Sequence, residues 1–212
     1  MPFYDPSNWP LAKTIQENKD EILKEFHKCN EMNFVAEKFN ATTSFDTKLY
    51  NGYVGFLGVV MDTRLWSPEE RKVYSEGLQK AFDRNRTLCP VASEIISRFP
   101  EIRQWYWNTL EPGGQVRPHY GVNGKIWNKV ADHTRLQFCW EPGVDAKFYL
   151  EDAYIEYKED LCFGFDDGMA IHWVKNNGDK FRSVLILDLW TDQCPEITWD
   201  QHPGIVRGNF TF

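Results

Sequence analysis

Two histidines lie in a β-rich part of the sequence, and each follows a tight-turn signal. His119 comes shortly after the sequence EPGG, and His172 comes shortly after DDG, so we expect each to begin a strand. Imidazole nitrogens are common ligands of transition metals, and two imidazoles that meet in a fold can begin a metal site. The pair alone is weak evidence for a metal site, because a structural, hydrogen-bonded role is the more common explanation for either histidine.

An arginine begins the apolar run RSVLILDLW, ten residues after His172. Burying the guanidinium of Arg182 beside Val184 and Ile186 is costly unless an anion pairs with it. The partner is either an internal aspartate or the distal carboxylate of a dicarboxylate cosubstrate, which an arginine binds through two parallel hydrogen bonds. The spacing leaves both alternatives open.

A polar stripe interrupts the otherwise apolar run TRLQFCW. Side chains alternate between the two faces of a strand, so His133, Arg135 and Gln137 are expected to project from one face together. This stripe adds candidate ligand-binding side chains to the two histidines.

The first hundred residues carry mainly helical signals. Apolar residues at helical spacing predict an amphipathic helix over residues 11–29, and Ser67-Pro68 begins a predicted helix over about 68–84. A third helix is predicted after Cys89-Pro90 and ends before Pro100. Residues 30–66 show no sustained period, and their run YNGYVGFLGVV fits short extended pieces and turns.

From Ile102 onward the pattern changes to short β-rich runs that are separated by turn signals. These runs are QWYWNTL, TRLQFCW, KFYL, AYIEY, LCFGF, AIHWV and SVLILDLW. Closely spaced strands of this kind predict a sandwich or barrel. We therefore expect one domain, with a helical portion over about 1–100, a β core over about 101–190 and an irregular tail over 191–212.

The composition narrows the class of partner. The chain has 212 residues, a formal net charge of -7 and scattered basic residues, so a nucleic-acid partner is not expected. Its five cysteines are odd in number and widely spaced, as in a protein with reduced cysteines. The sequence shows neither a signal peptide nor an apolar run long enough for a membrane span, and we expect a cytoplasmic protein without membrane contact.

Four blocks of the sequence, in order, resemble the aspartyl/asparaginyl β-hydroxylase family over about residues 88–190. The blocks are FPEIRQWYWNTLEPGGQVRPHYG, TRLQF, FGFDDGMAIHWVKN and FRSVLILDLW. They resemble the family's segments that carry a proline-glycine turn, the first histidine, the first arginine, the second histidine and the second arginine. The resemblance implies a double-stranded β-helix core, which is a jelly-roll of the cupin type, with flanking helices.

The resemblance also assigns roles to residues. It implies that His119 and His172 bind Fe(II) and that Arg182 holds the distal carboxylate of the cosubstrate 2-oxoglutarate. Asn108 stands where the family has a serine that helps to bind this carboxylate. Arg135 stands where the family has an arginine that faces the carboxylates of substrate and cosubstrate.

Other candidate residues depart from the family or have simpler explanations. Gln137 replaces a family histidine, and this difference concerns the identity of the substrate more than the cofactor. His133 borders the expected pocket. Gly121 stands where the wider oxygenase fold has an acidic metal ligand, and the β-hydroxylase family lacks that ligand as well. Asp166 and Asp167 precede a turn, and we favour hydrogen bonds to turn amides for them over metal binding.

His27 and His202 are more simply explained as structural or solvated residues than as metal ligands. His27 lies on the predicted amphipathic helix, and His202 lies in the tail.

The function implied is that of an Fe(II)- and 2-oxoglutarate-dependent dioxygenase. It would use O₂ to hydroxylate an unactivated C–H bond of a small amino-acid-like or carboxylated substrate, with succinate and CO₂ as co-products. Hydroxylation of Asp or Asn in a peptide, halogenation at a chloride-bearing metal, and a non-catalytic cupin-like binding protein stay open. A zinc hydrolase fits less well, because a third ligand and a general-base glutamate motif are missing from the sequence.

Overall fold

The computed structural model describes residues 3–31, 50–51, 86–119, 133–167, 170–190 and 200–210. The predicted helix over 68–84 and Gly121 lie outside these ranges. Of the 30–66 segment, the structure describes only residues 30–31, where helix α2 ends, and the short strand β1 (Tyr50–Asn51). No helix among the described residues is long and apolar enough to cross a membrane.

The predicted N-terminal helix is two helices, α1 (Pro10–Glu17) and α2 (Lys19–Glu31). Asn18 separates them with a non-helical backbone at φ -105° and ψ 16°. Its side-chain amide donates to the carbonyl of Thr14 at 2.8 Å, and its own carbonyl accepts from the amide of Ile22. Asparagine competes for backbone groups in this way, and so it ends α1 and begins α2.

The predicted helix after Cys89 is α3 (Pro90–Ile96), which ends before Pro100 as expected. Cys89 makes no side-chain cap, but Glu25 of α2 supplies one. The amides of Val91 and Ala92 donate to the two carboxylate oxygens of Glu25 at 2.8 and 3.0 Å. A carboxylate at a helix N-terminus satisfies amides that have no partner within the helix. This contact joins α3 to α2.

The described strands, β1 included, form two antiparallel sheets. The larger sheet has the order β1-β3-β8-β5-β6-β10, and the smaller has the order β2-β9-β4-β7. The bounds are β2 (Ile102–Leu110), β3 (Gln115–His119), β4 (His133–Glu141), β5 (Ala146–Leu150), β6 (Ala153–Glu156), β7 (Leu161–Asp166), β8 (His172–Asn176), β9 (Arg182–Trp190) and β10 (Ile205–Arg207). The fold is mainly β, a jelly-roll with N-terminal helices, as the sequence predicts.

All seven β-rich runs are strands, and the structure adds two strands that the sequence did not predict. One is β3, which ends at His119, so the expectation that His119 begins a strand is wrong. The other is β10, which lies in the tail that was expected to be irregular. It pairs with β6 at the edge of the larger sheet.

Two apolar cores lie on opposite faces of the smaller sheet. The odd-numbered residues Leu185, Leu187 and Leu189 of β9 pack toward the helices. The even-numbered residues Val184 and Ile186 pack toward the larger sheet. Alternation places Arg182 and Asp188 on this second face as well, at opposite ends of the strand.

Two polar residues, Arg182 and Asp188, lie near the opposite ends of β9 on the face toward the barrel interior. Arg182 and Asp188 are six residues apart, which is about 20 Å at about 3.4 Å per residue. Asp188 pairs across the sheet with Arg135, and Val184 pairs with Asn108. The polar residues of the interior therefore fall into two groups, one at each end of the strand.

Candidate metal centre

The two candidate metal-binding histidines are cross-strand partners in the larger sheet. His119 ends β3 and His172 begins β8, and the register pairs them directly after an irregularity between Val116 and His119. Their ring centroids are 4.2 Å apart. Irregularities of this kind often re-aim a side chain beside a site. The structure thus brings together two residues that are far apart in the sequence.

Hydrogen bonds to backbone carbonyls orient both rings. Nδ1 of His119 lies 2.7 Å from the carbonyl oxygen of Arg117, and Nδ1 of His172 lies 3.0 Å from that of Ala170. A carbonyl oxygen can only accept, so in each ring Nδ1 carries the proton and Nε2 presents a lone pair. This is the usual arrangement of metal-binding histidines.

Both imidazoles are neutral at physiological pH. Burial lowers the pKa of His172 to about 4, although the nearby Asp167 carboxylate opposes this effect. Burial also lowers the pKa of His119, and the carbonyl of Arg117 opposes it. The ring of Phe148 stacks on His172 with centroids 5.7 Å apart, and Phe165 meets the same ring edge-on. A neutral, fixed imidazole is the form that binds a metal ion.

Asp167 lies beside His172, which the turn interpretation did not anticipate. Its side chain is fully buried, and Oδ1 is 3.3 Å from Nε2 of His172. Among the described residues, the carboxylate also lies 2.6 Å from Nη1 of Arg135, and neither oxygen accepts a hydrogen bond from a described backbone amide. Residues 168–169 of the turn lie outside the described residues, so the predicted bonds to turn amides stay a prediction. Burying a carboxylate is costly, and the guanidinium of Arg135 offsets part of this cost.

These donors fit a divalent transition metal. Two Nε2 lone pairs are available, and the buried carboxylate of Asp167 lies beside one of them. Within the part of the chain that the structure describes, no three His, Cys, Asp or Glu side chains converge on one point. A metal held by the two imidazoles would therefore keep coordination positions for other ligands, as catalytic centres do.

The interior also contains a buried guanidinium, that of Arg182. Arg182 is 1% exposed, and none of the described carboxylates lies within ion-pair distance of it. Its Nη2 donates to Oδ1 of Asn108 at 2.7 Å, and its guanidinium carbon lies 5.0 Å from the ring centroid of Tyr157. Its Nε donates no hydrogen bond to the residues that the structure describes. Of the two partners that the sequence left open, an internal aspartate is therefore absent among the described residues.

The family model for aspartyl/asparaginyl β-hydroxylase matches residues 16–192. This match covers most of the chain, including both histidines and Arg182. The chain belongs to the aspartyl/asparaginyl β-hydroxylase family. No curated protein matches the sequence.

Several solved structures, two of them described as cupins, are similar to part of this hydroxylase-family chain. A predicted oxalate decarboxylase from Thermotoga maritima is 16% identical with a TM-score of 0.35, covering 44% of this chain and 71% of its own. The Cnp3 cupin domain of Schizosaccharomyces pombe is 10% identical with a TM-score of 0.34, covering 43% and 57%. A sugar phosphate isomerase of the cupin superfamily from Silicibacter pomeroyi is 15% identical with a TM-score of 0.31, covering 41% and 49%. Each likeness is confined to less than half of this chain.

Tyr157 is a site residue that the sequence did not reveal. It follows β6, is buried, and donates its hydroxyl proton to Oε1 of Gln137 at 2.6 Å. Burial raises the pKa of Tyr157, with Arg182 opposing, so the phenol stays protonated. Because Oε1 of Gln137 accepts this bond, its amide nitrogen is the end that can donate to a ligand. The alternating pattern of AYIEY indicated only that Tyr157 shares a face with Ile155.

Arg135 is occupied by two carboxylates of the chain itself. Nε and Nη2 donate to Asp188 at 2.6 and 3.0 Å, and Nη1 lies 2.6 Å from Oδ1 of Asp167. Burial alone would lower the pKa of Arg135, but these carboxylates hold it well above its usual range. The resemblance implied that Arg135 faces the carboxylates of substrate and cosubstrate, and it did not indicate these two internal partners.

The other candidate histidines have different surroundings. His27 is half-exposed and pairs with Glu141, with Nε2 and Oε1 3.0 Å apart. Nδ1 of His202 accepts a hydrogen bond from the amide of Gly204. The backbone of His133 begins β4, but its side chain lies outside the described part, so its predicted place at the pocket stays a prediction.

Proposed function

We propose that this protein is an Fe(II)- and 2-oxoglutarate-dependent oxygenase that hydroxylates a C–H bond of a small amino-acid-like or carboxylated molecule. The observation that carries the proposal is the buried guanidinium of Arg182, which has no carboxylate partner among the described residues. It lies in the same barrel interior as two neutral histidines whose Nε2 atoms are available. A metal would bind the two histidines, and a dicarboxylate would neutralise the charge of Arg182.

His119 and His172 would hold the metal through Nε2. The carbonyls of Arg117 and Ala170 fix the two rings, and Phe148 and Phe165 pack against the ring of His172. Such supporting contacts strengthen metal binding, because the rings lose little freedom when the ion binds. Asp167 adds negative charge beside the same position.

Arg182 would bind the distal carboxylate of 2-oxoglutarate by charge-assisted hydrogen bonds. Asn108 accepts from Nη2 and thereby orients the guanidinium, while its own amide nitrogen is a further donor. Tyr157 covers the guanidinium and positions Gln137. These neutral donors add no competing negative charge near the anion, so the pocket favours a carboxylate.

When bound, Fe(II) and 2-oxoglutarate supply the oxidising chemistry, in which one atom of O₂ enters succinate as CO₂ is lost and the other enters the substrate. The chain positions the reactants and excludes water from them. Phe163, Phe165 and Ile186 line the interior between the polar groups and are at most 5% exposed. A dry interior protects a reactive centre from side reactions.

Succinate release tests the proposal. Metal-free protein is supplied with Fe(II), ascorbate and 2-oxoglutarate, and assayed with free amino acids and carboxylated metabolites in one set and Asp- or Asn-containing peptides in another. We expect substrate-stimulated succinate from the first set and a product heavier by one oxygen. Stimulation by peptides alone would move the assignment to peptide hydroxylation, and a chlorinated product in chloride buffer would move it to halogenation.

A matched pair of arginine variants controls for general damage. Arg182→Met is expected to lose the reaction at moderate 2-oxoglutarate, while Arg98→Met, whose exposed guanidinium pairs with Glu94, keeps it. A parent protein that binds metal but neither consumes O₂ nor releases succinate with any substrate would favour a cupin-like binding protein.

A further inference from the structure

Three buried charged residues, Asp188, Arg135 and Asp167, contact one another in sequence and end beside the candidate metal-binding histidines. Asp188 and Arg135 face each other across the sheet and form a two-pronged ion pair. Nη1 of Arg135 continues to Asp167, whose Oδ1 in turn lies beside Nε2 of His172. One oxygen of Asp167 therefore has the arginine on one side and the histidine on the other.

The separation between Asp167 and His172 is informative. Nitrogen and oxygen ligands each lie about 2.0–2.2 Å from a bound transition metal, so two ligands of one ion at about 100° are separated by roughly 3.2 Å. The observed distance from Oδ1 to Nε2 is 3.3 Å. This oxygen is thus close enough to Nε2 to face a metal that the imidazole binds, although no three His, Cys, Asp or Glu side chains converge on one point among the described residues.

The charge count also points to a cation. Arg135 contributes one positive charge, and Asp167 and Asp188 contribute two negative charges, so the group carries a net charge of about -1. Asp167 and Asp188 are both 0% exposed, and the oxygens of Asp167 accept no directed hydrogen bond from the described residues. Buried negative charge is unfavourable, and a divalent metal at the two imidazoles would offset that of the neighbouring Asp167.

We propose that Arg135 is a positioning residue and not an anchor for a ligand carboxylate. Held by Asp188, it orients Asp167 so that one carboxylate oxygen faces the metal beside His172. The inference rests on the proposed metal site and deepens it, because it gives the chain an acidic group near the metal although Gly121 occupies the usual place for one. It also leaves the carboxylates of substrate and cosubstrate to other donors, with Arg182 first among them.

The test compares Co²⁺ affinity with 2-oxoglutarate affinity in charge-conserving variants. Arg135→Lys keeps the charge but loses the fork that reaches both aspartates, and Asp188→Asn removes the distant partner while keeping its shape. We expect each to weaken Co²⁺ binding by about 10- to 100-fold, as the loss of groups that orient metal ligands typically does. At saturating Co²⁺, 2-oxoglutarate affinity should stay within about threefold of the parent, whereas Arg182→Lys should show the reverse pattern.

Additivity distinguishes positioning from direct electrostatics. If Arg135 acts through Asp167, then Arg135→Lys changes Co²⁺ affinity by less than about threefold in an Asp167→Asn background. Asp167→Asn keeps the ion pair of Arg135 with Asp188 and is expected to fold. The proposal is overturned if the effects of the two substitutions multiply, or if Arg135→Lys weakens 2-oxoglutarate more than it weakens Co²⁺.

A metal-free measurement separates this inference from the proposed function. In the metal-free protein, Arg135→Lys/Asp188→Asn should unfold at the same urea concentration as the weaker of its two parent single variants, because both substitutions break one connection. Fully additive shifts would contradict the coupling of Arg135 to Asp188 on which the positioning role depends. A parent protein that binds no Co²⁺ would refute the proposed metal site and the positioning role with it, whereas a parent that binds Co²⁺ with an affinity that Arg135→Lys leaves unchanged would refute the positioning role alone.

Discussion

Replacing Arg182 by Met should separate stability from cosubstrate binding. In the ligand-free protein this guanidinium is buried with a hydrogen bond to Asn108 and a contact with the Tyr157 ring as its compensation. The desolvation penalty of a buried ion is several kcal/mol, while a charge-assisted hydrogen bond returns about 1.5–3 kcal/mol and a desolvated cation–π contact about 2 kcal/mol. We therefore expect the unfolding free energy of the ligand-free variant to be unchanged or raised, by up to about 2 kcal/mol.

Cosubstrate binding should respond in the opposite direction. Removing one partner of a buried charge pair weakens binding by about 2–5 kcal/mol, which is roughly 30- to 5,000-fold in affinity. A ligand at 100 times its Kd stabilises the parent by about 2.7 kcal/mol, or about 5–11 °C in Tm for a chain of this size. At the same concentration, a variant weakened 30-fold would gain only about 0.9 kcal/mol, or about 2–3 °C.

Thermal unfolding with saturating Mn²⁺, with and without 2-oxoglutarate, measures both effects in one experiment. Arg98→Met is the control, since its exposed ion pair with Glu94 contributes little. The reasoning is refuted if Arg182→Met is several degrees less stable without ligand yet keeps the full shift with 2-oxoglutarate. That result would mean that Arg182 has an internal anionic partner and serves the fold.

Three further predictions concern the candidate metal ligands, the apolar core and a buried cysteine. His119→Ala and His172→Ala should each abolish 2-oxoglutarate turnover, as measured by succinate release, while His202→Ala keeps it; turnover in either of the first two would reject that ligand. Phe26 is fully buried and stacks on Trp107 with centroids 4.0 Å apart. Phe26→Ala should therefore cost about 3–5 kcal/mol, or about 6–20 °C in Tm, with a change in tryptophan fluorescence; a cost below about 1 kcal/mol would mean that this core can collapse around the gap. Burial raises the pKa of the Cys139 thiol to about 12, so its alkylation at pH 8, followed by peptide mass spectrometry, should be much slower in folded than in urea-unfolded protein; equal rates would contradict the buried position.

The β core was predictable because its strands carry strong local signals. Runs such as AYIEY alternate apolar and polar residues between clear turn sequences, and every such run is a strand. The strand β3 was missed because its sequence QVRPH is short and contains a proline, so only its pairing with β8 reveals it. The break at Asn18 depends on a side-chain hydrogen bond that competes with the helix, and helical spacing does not report it.

Part of the site was visible in the sequence, because its residues are unusual in their surroundings. Arg182 was singled out as a charge in an apolar strand, although its spacing could not decide between an internal and an external partner. Asp167 was read as a turn residue because it precedes a glycine, and its burial depends on where β7 ends against the other strands. The contact of Arg135 with Asp188 depends on the register of β4 against β9, which a single sequence does not specify.

The central claim is that the two histidines and Arg182 bind Fe(II) and 2-oxoglutarate together. The most direct test adds both to metal-free protein without oxygen and records the visible spectrum of the parent, His119→Ala and Arg182→Ala. The account predicts a weak charge-transfer band in the parent at moderate 2-oxoglutarate, and its loss in both variants. Absence of the band in a parent protein that binds Fe(II) would contradict the account, and so would a band that persists unchanged in Arg182→Ala.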